Sequence, residues 1–254
     1  MIESGSANEV YKITGEKVKE AAILMKSGKT DVSGGYTTDA ILNAPDLLYD
    51  QLASVYRSWL FHGSVTNSLL ACAFLPLLKS ALKDPADTGS YRAIASSSIL
   101  PELFDKVVLL VWGHLLSSDS LQFGYKQGTS TTQCSWLVTE VVSHFLQNGT
   151  NHILTLRDCS KAFDMGFDII FGKLLARGVP PIVLRVLIVV YQEQFARVSW
   201  GESRSRLFSI QNGTRQGSVL SPVLFAVYVD DLLQELRAIG VGCHVDGLYY
   251  GAVG

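Results

Sequence analysis

The chain has 254 residues, 48% of them hydrophobic and 17% charged, and 21 basic against 23 acidic residues leave a formal net charge of −2. That length supports a sizeable core in one or two domains. The near-neutral balance does not announce a nucleic-acid binder and does not exclude one, since a local basic groove can sit on a neutral protein. Cys72, Cys134, Cys159 and Cys243 form no Cys-x-x-Cys pair and no zinc-spaced cluster. They read as buried thiols rather than a disulfide framework. The first residues lack a charged-then-apolar signal pattern. The longest apolar run, 107–116, contains Gly113 and His114 and is too short to span a bilayer. These features predict a reduced, intracellular protein that stays out of the membrane.

In chain order, residues 1–12 are polar and 14–25 read as a helix. Thr14 is its cap, and Val18, Ala21, Ala22 and Met25 lie on one face. Ser27-Gly28-Lys29-Thr30 resembles the end of a phosphate-binding loop, but the required first glycine is Ile23, so 30–36 is read as a plain loop. A second helix starts near Pro45-Asp46 and ends at Gly63, with Leu48, Leu52, Val55, Tyr56 and Trp59 as its core stripe. Residues 71–78 read as a strand broken by Pro76, 83–90 as a polar turn and 91–95 as the returning strand. The result is a hairpin carrying Lys79, Lys83 and Arg92.

An apolar helix over 101–116 follows, then a Gly-rich connector over 122–130 and a helix over 131–147. Residues 153–156 are rich in β-branched and aliphatic side chains and predict a short buried strand that runs into Asp158. Helices are expected over 168–177, 181–194 and 223–237, with two short strands at 197–200 and 207–210 between the second and third. Residues 242–254 alternate weakly, as the start of another hairpin would. Helices and strands mixed without a regular βαβ rhythm predict the α+β class.

A carboxylate at the end of a buried strand needs a partner. Asp158 is therefore either a Mg²⁺ ligand or a cap on the helix that follows. The basic hairpin can hold a triphosphate, because guanidinium forks match phosphate oxygens. Phe163 offers a flat apolar wall near Asp158, and Gln216-Gly217 at a helix entry lets backbone approach a base pair or sugar closely. Together these features describe nucleotidyl transfer by two metal ions.

Four stretches, in this order, resemble the reverse transcriptases of non-LTR (LINE-type) retrotransposons: Tyr91-Arg92-Ala93-Ile94, Leu121-Gln122-Phe123-Gly124-Tyr125-Lys126, Asp158-Cys159-Ser160-Lys161-Ala162-Phe163-Asp164 and Arg215-Gln216-Gly217-Ser218-Val219-Leu220-Ser221-Pro222. The resemblance implies a right-hand polymerase fold. Residues 1–25 would be a partly helical N-terminal extension, and 26–254 the fingers and an incomplete palm, without a thumb. It implies an RNA template, a DNA primer, deoxynucleoside triphosphates and Mg²⁺. Asp158 would be the first catalytic, metal-binding aspartate, with the Cys159 carbonyl as a further ligand. Phe163 would select deoxynucleotides, Arg92 and Lys79 would contact the triphosphate, and Gln216 and Gly217 would pack on the nascent base pair. The bland alternatives are a solvated Lys79 and helix-capping roles for Asp164 and Asp168.

Tyr228-Val229-Asp230-Asp231 spells the aromatic-x-Asp-Asp signature that supplies the remaining carboxylates in this family, yet it lies inside the helical run 223–237. The family places that signature on a hairpin after this helix, so the true motif is expected just past Gly254. On that reading the chain is truncated before its second carboxylate site and the isolated chain does not polymerise. The alternative is a non-catalytic remnant that binds RNA or protein.

Overall fold

The computed structural model describes residues 8–120, 122–126, 128–149, 165–214 and 217–238. In chain order they form α1 (Gly15–Ile23), α2 (Thr38–Leu42), α3 (Asp46–His62), β1 (Ala71–Leu78), β2 (Tyr91–Ser97), α4 (Ile99–Trp112), α5 (Thr131–Gln147), α6 (Phe167–Ala176), α7 (Pro181–Gln192), β3 (Phe195–Trp200), β4 (Ser203–Arg204), β5 (Phe208–Ser209) and α8 (Ser221–Ala238). They fall into two compact units. One lies within Met1–Leu116 and Phe163–Ser221, the other within Ser117–Ala162 and Pro222–Gly254.

The first unit is a mixed sheet with helices. Thr14 caps α1 by accepting the Lys17 N–H, and Val18, Ala21, Ala22 and Met25 are all buried, as the spacing predicts. The α3 stripe is rotated from the expected one. Tyr49, Leu52, Ala53, Tyr56, Trp59 and Leu60 are buried, whereas Val55 is exposed. The reason is the partner surface: Tyr56 and Trp59 close on Phe104 of α4 with ring centroids 5.0–5.5 Å apart, and that aromatic cluster sets the helix rotation. Gly63 ends α3 in the left-handed region (φ 64°), and Arg185 of α7 donates to the freed Leu60 and Phe61 carbonyls.

Asp31 sits buried in the loop before α2. Its carboxylate accepts from the Ser33 N–H and hydroxyl, the Ser98 hydroxyl and the Ile99 N–H, at 2.5–2.9 Å. It thereby caps the N-terminus of α4, whose orphan amides favour an anion. Burial pushes its pKa up, but these hydrogen bonds outweigh burial and hold it below the ordinary carboxylate value.

The strand order is β2-β1-β3-β4, with β5 also on β3. β1 runs antiparallel to β2 and parallel to β3. Pro76 does not break β1. It faces Ala93 beyond the last β3 partner, the Phe74–Val198 pair, so its missing N–H falls where β1 is bonded on one side only. In the second unit, Ser130 and Gln133 close a capping box on α5, and Cys134 and Val138 pack with Phe123, Leu137 and Val142. Cys72 and Cys134 are both buried. The expected strand at 153–156 and hairpin at 242–254 lie outside the described residues.

Candidate active site

The β1–β2 hairpin presents two distinct faces because successive side chains alternate. The register places Leu75 opposite Ile94 and Leu77 opposite Arg92 on one face. The other face carries Phe74 and Tyr91, whose ring contacts with Phe208 and Trp200 confirm the assignment.

Gly217 lies on the Arg92 face. Its φ is 103°, and a Cβ there would stand 3.4 Å from the Ala95 carbonyl oxygen and 3.5 Å from the Ile94 side chain. Those are ordinary contact distances, so it is the positive φ that favours glycine here. Immediately afterwards Ser218 fixes the turn: its hydroxyl accepts the Ser221 N–H at 3.2 Å and lies 2.6 Å from the Ser221 hydroxyl and 3.4 Å from the Tyr191 hydroxyl. Ser221-Pro222 then starts α8, two residues ahead of the expected span 223–237. Two of the four stretches singled out in the sequence thus meet in space, with Gly217 seated on Ile94, two residues along β2 from Arg92.

The residue that follows the third stretch is bonded to the same loop. Asp158, Cys159 and Phe163 lie outside the described residues, as does Gln216. Met165 is described and buried, and its carbonyl accepts the Gly213 N–H at 3.2 Å. The residue next to Asp164 is therefore tied to the loop that leads into Gly217.

Lys79 closes the base of the hairpin tip. Its N–H bonds the Ser90 carbonyl, and its ammonium donates to the Gly89 carbonyl at 2.9 Å while remaining exposed. Asp168 is in the first turn of α6 but makes no capping bond. The cap position is Gly166, so the aspartate acts on the helix end by charge alone.

Asp230 and Asp231 are both helical, in α8. Asp230 is 2% exposed, accepts the Asp119 N–H at 2.6 Å and accepts from the Gln234 side chain at 2.7 Å. Lys126 donates to the Ser118 and Asp119 carbonyls from the other end of the same loop. One Asp230 oxygen thus holds the loop at Asp119 and the other is bonded within α8 to Gln234, a role that the sequence did not reveal. Among the described residues no group of three His, Cys, Asp or Glu side chains is placed to hold a metal ion.

Residues 80–252, more than half of the chain, match the family described as reverse transcriptase (RNA-dependent DNA polymerase). The chain belongs to the reverse transcriptase family. It is similar to the RNA-directed DNA polymerases of the mobile element jockey from Drosophila melanogaster (26% identity over 74% of this chain) and Drosophila funebris (23% over 90%). It also resembles the Pol polyprotein of the type-2 retrotransposable element R2DM of Drosophila melanogaster, at 26% identity over 70% of this chain. It covers 21%, 25% and 17% of those proteins, a quarter of their length or less. These relatives agree with the retrotransposon resemblance carried by the four motifs. In this reverse transcriptase chain no helix among the described residues is long and apolar enough to cross a membrane.

Proposed function

We propose that this chain forms the fingers and part of the palm of a retrotransposon RNA-directed DNA polymerase, and that the Arg92 face of β2 under Gly217 is the wall of its nucleotide pocket. The observation that carries this reading is the seating of Gly217 on Ile94 and Ala95, on the face that displays Arg92. A guanidinium on a rigid strand suits triphosphate oxygens. Backbone without a side chain beside it leaves room for a flat base pair. Gln216 would pack on that base pair, and Phe163 would exclude a ribose 2′-hydroxyl. Lys79 would assist only after leaving the Gly89 carbonyl.

Asp158, with the Cys159 carbonyl, would hold Mg²⁺, which in this family supplies the charge stabilisation for attack of a primer 3′-hydroxyl on the α-phosphate. The remaining carboxylates would be other than Asp230, which is buried with both oxygens hydrogen-bonded, and Asp231, which is exposed on the same helix. The sequence contains no second adjacent aspartate pair. RNA template, DNA primer and deoxynucleoside triphosphates are the substrates on this reading, and the buried cysteines suit a reduced, intracellular setting.

The test is Mg²⁺-dependent binding of a fluorescent deoxynucleoside triphosphate, alongside RNA-templated primer extension. Asp158→Asn should remove the Mg²⁺ enhancement, whereas Asp231→Asn should leave it intact, and the isolated chain should not extend a primer. An enhancement lost with Asp231 and kept without Asp158 would reverse the assignment.

A further inference from the structure

Residues 201–209 form a continuous exposed run at the edge of the sheet. Within it, Arg206 and Arg204 stand three and five residues before Ser209, and Ile210 follows. No other serine or threonine of the chain has arginine at both of those positions. Ser160 and Ser218 have an arginine three residues before them, but Thr155 and Gly213 stand five residues before, and Ser218 is buried. Neither Arg204 nor Arg206 enters an ion pair among the described residues, so both guanidiniums are on offer to acidic pockets of a partner.

The run is lightly fastened. β4 and β5 are two residues each, and among the described strands both lie against β3 alone. β5 pairs through Phe195–Ser209 and Ala196–Phe208, and the Ile210 N–H donates to the Gln194 carbonyl at 3.0 Å. Ser205 donates its N–H to the Val198 carbonyl and accepts the Val198 N–H on its hydroxyl, both at 2.9 Å. So short an edge strand belongs to the low end of local stability, and it can peel away as an extended segment. In an extended segment residues two apart project to the same side, which lets Arg204 and Arg206 enter neighbouring acidic pockets together.

The register also provides for a modified serine. Ser209 faces Phe195, and Arg197 lies two residues further along β3 on the same face. That is the diagonal position, about 7–8 Å away between backbones and within reach of a long side chain. A phosphate on Ser209 would add a charge of about −1.5 to −2, and a half-buried guanidinium on a strand matches its oxygens in pairs.

We propose that Ser209 is a phosphorylation site for a serine kinase of the arginine-directed class, and that Arg197 clamps the phosphate and so fastens β5 to β3. In the transfer, Ser209 Oγ bonds to the γ-phosphorus of ATP as the bond from that phosphorus to the β–γ bridging oxygen breaks. ADP leaves, and the hydroxyl proton passes to the catalytic aspartate of the kinase. The site does not depend on the nucleotide pocket, since neither Arg92 nor Gly217 takes part.

The experiment incubates the purified full chain with radiolabelled ATP and the catalytic domain of a kinase that requires arginine three and five residues before its serine, followed by peptide mapping. The label should fall on Ser209 and vanish in Ser209→Ala. Arg204→Gln and Arg206→Gln, both changes at exposed positions, should melt like the parent, yet each should lower kcat/KM for labelling by about tenfold or more. Lys17→Gln, on α1 and paired with Glu20, should change nothing. Phosphorylation should slow amide exchange at residues 208–210, and Arg197→Gln should abolish that slowing while leaving the labelling intact. Label retained in Ser209→Ala would overturn the site, as would a folded chain left unlabelled while a free peptide of residues 201–212 is labelled. Exchange at 208–210 that phosphorylation of the parent leaves unchanged would overturn the clamp.

Discussion

At Gly217 the demand is a left-handed backbone, in a residue that lies against a neighbouring strand. An added methyl would make ordinary contact with the Ala95 carbonyl oxygen and the Ile94 side chain, but a non-glycine residue at this φ costs roughly 1–2 kcal/mol. Gly217→Ala should therefore lower stability by about that amount in urea denaturation and should weaken nucleotide binding as well. Asp31 is the second residue on which much depends. Replacing it with alanine leaves the Ile99 amide and two serine hydroxyls without their acceptor, and should cost about 3 kcal/mol. Its pH signature follows from the sign of its shift. The folded pKa lies below the ordinary value of 3.8, so its contribution is fully present above the unfolded pKa and is lost as pH falls through the depressed folded value. The stability gap between the parent and Asp31→Asn, measured in urea, should be full at neutral pH and should narrow below about pH 4. Asp31 was not legible in the sequence, because nothing in its neighbours announces that the loop folds back onto a helix starting 68 residues later. Gly217 was legible, because glycine after Gln216 and before Ser-x-x-Ser-Pro marks a tight entry to a helix.

Among the elements, α8 shows most clearly how spacing and signature compete. Tyr228-Val229-Asp230-Asp231 has the letters of a metal site, but Leu224, Phe225, Val227 and Leu233 recur at helical spacing and are buried. The period decides over the letters, because a helix must bury its apolar stripe whatever polar residues lie within it. Asp230→Ala should release the loop at Asp119 and cost about 1–3 kcal/mol, since it strips a part-buried amide of its acceptor. Amide exchange should accelerate over that loop, and Mg²⁺ affinity should not change. β1 shows the reverse error. Pro76 looks like a strand breaker, yet the strand passes through it because the partner on one side ends first. That partner is β3, which starts only at Phe195, so no local window around Pro76 contains it. The α3 stripe was legible in kind but not in rotation, because Phe104 of α4 decides which of its residues face inward. Phe104→Ala should cost about 3–5 kcal/mol by emptying that cluster.

For the whole molecule, four short stretches scattered from Tyr91 to Pro222 carried the family, and the match over residues 80–252 bears that out. The fold brings Arg92, Gly217 and the flank of the Asp158 segment into one unit, which a linear reading can propose only by resemblance. What remains decisive is whether Arg92 and Gly217 act on a nucleotide. The direct measurement is the affinity of a fluorescent deoxynucleoside triphosphate for the parent chain, Arg92→Gln and Gly217→Ala at fixed ionic strength and Mg²⁺. A charge-assisted bond is worth about 1.5–3 kcal/mol, so Arg92→Gln should weaken binding by roughly tenfold to a hundredfold. Gly217→Ala should weaken it too, and Lys12→Gln should not. Affinities equal across all four proteins would contradict the account.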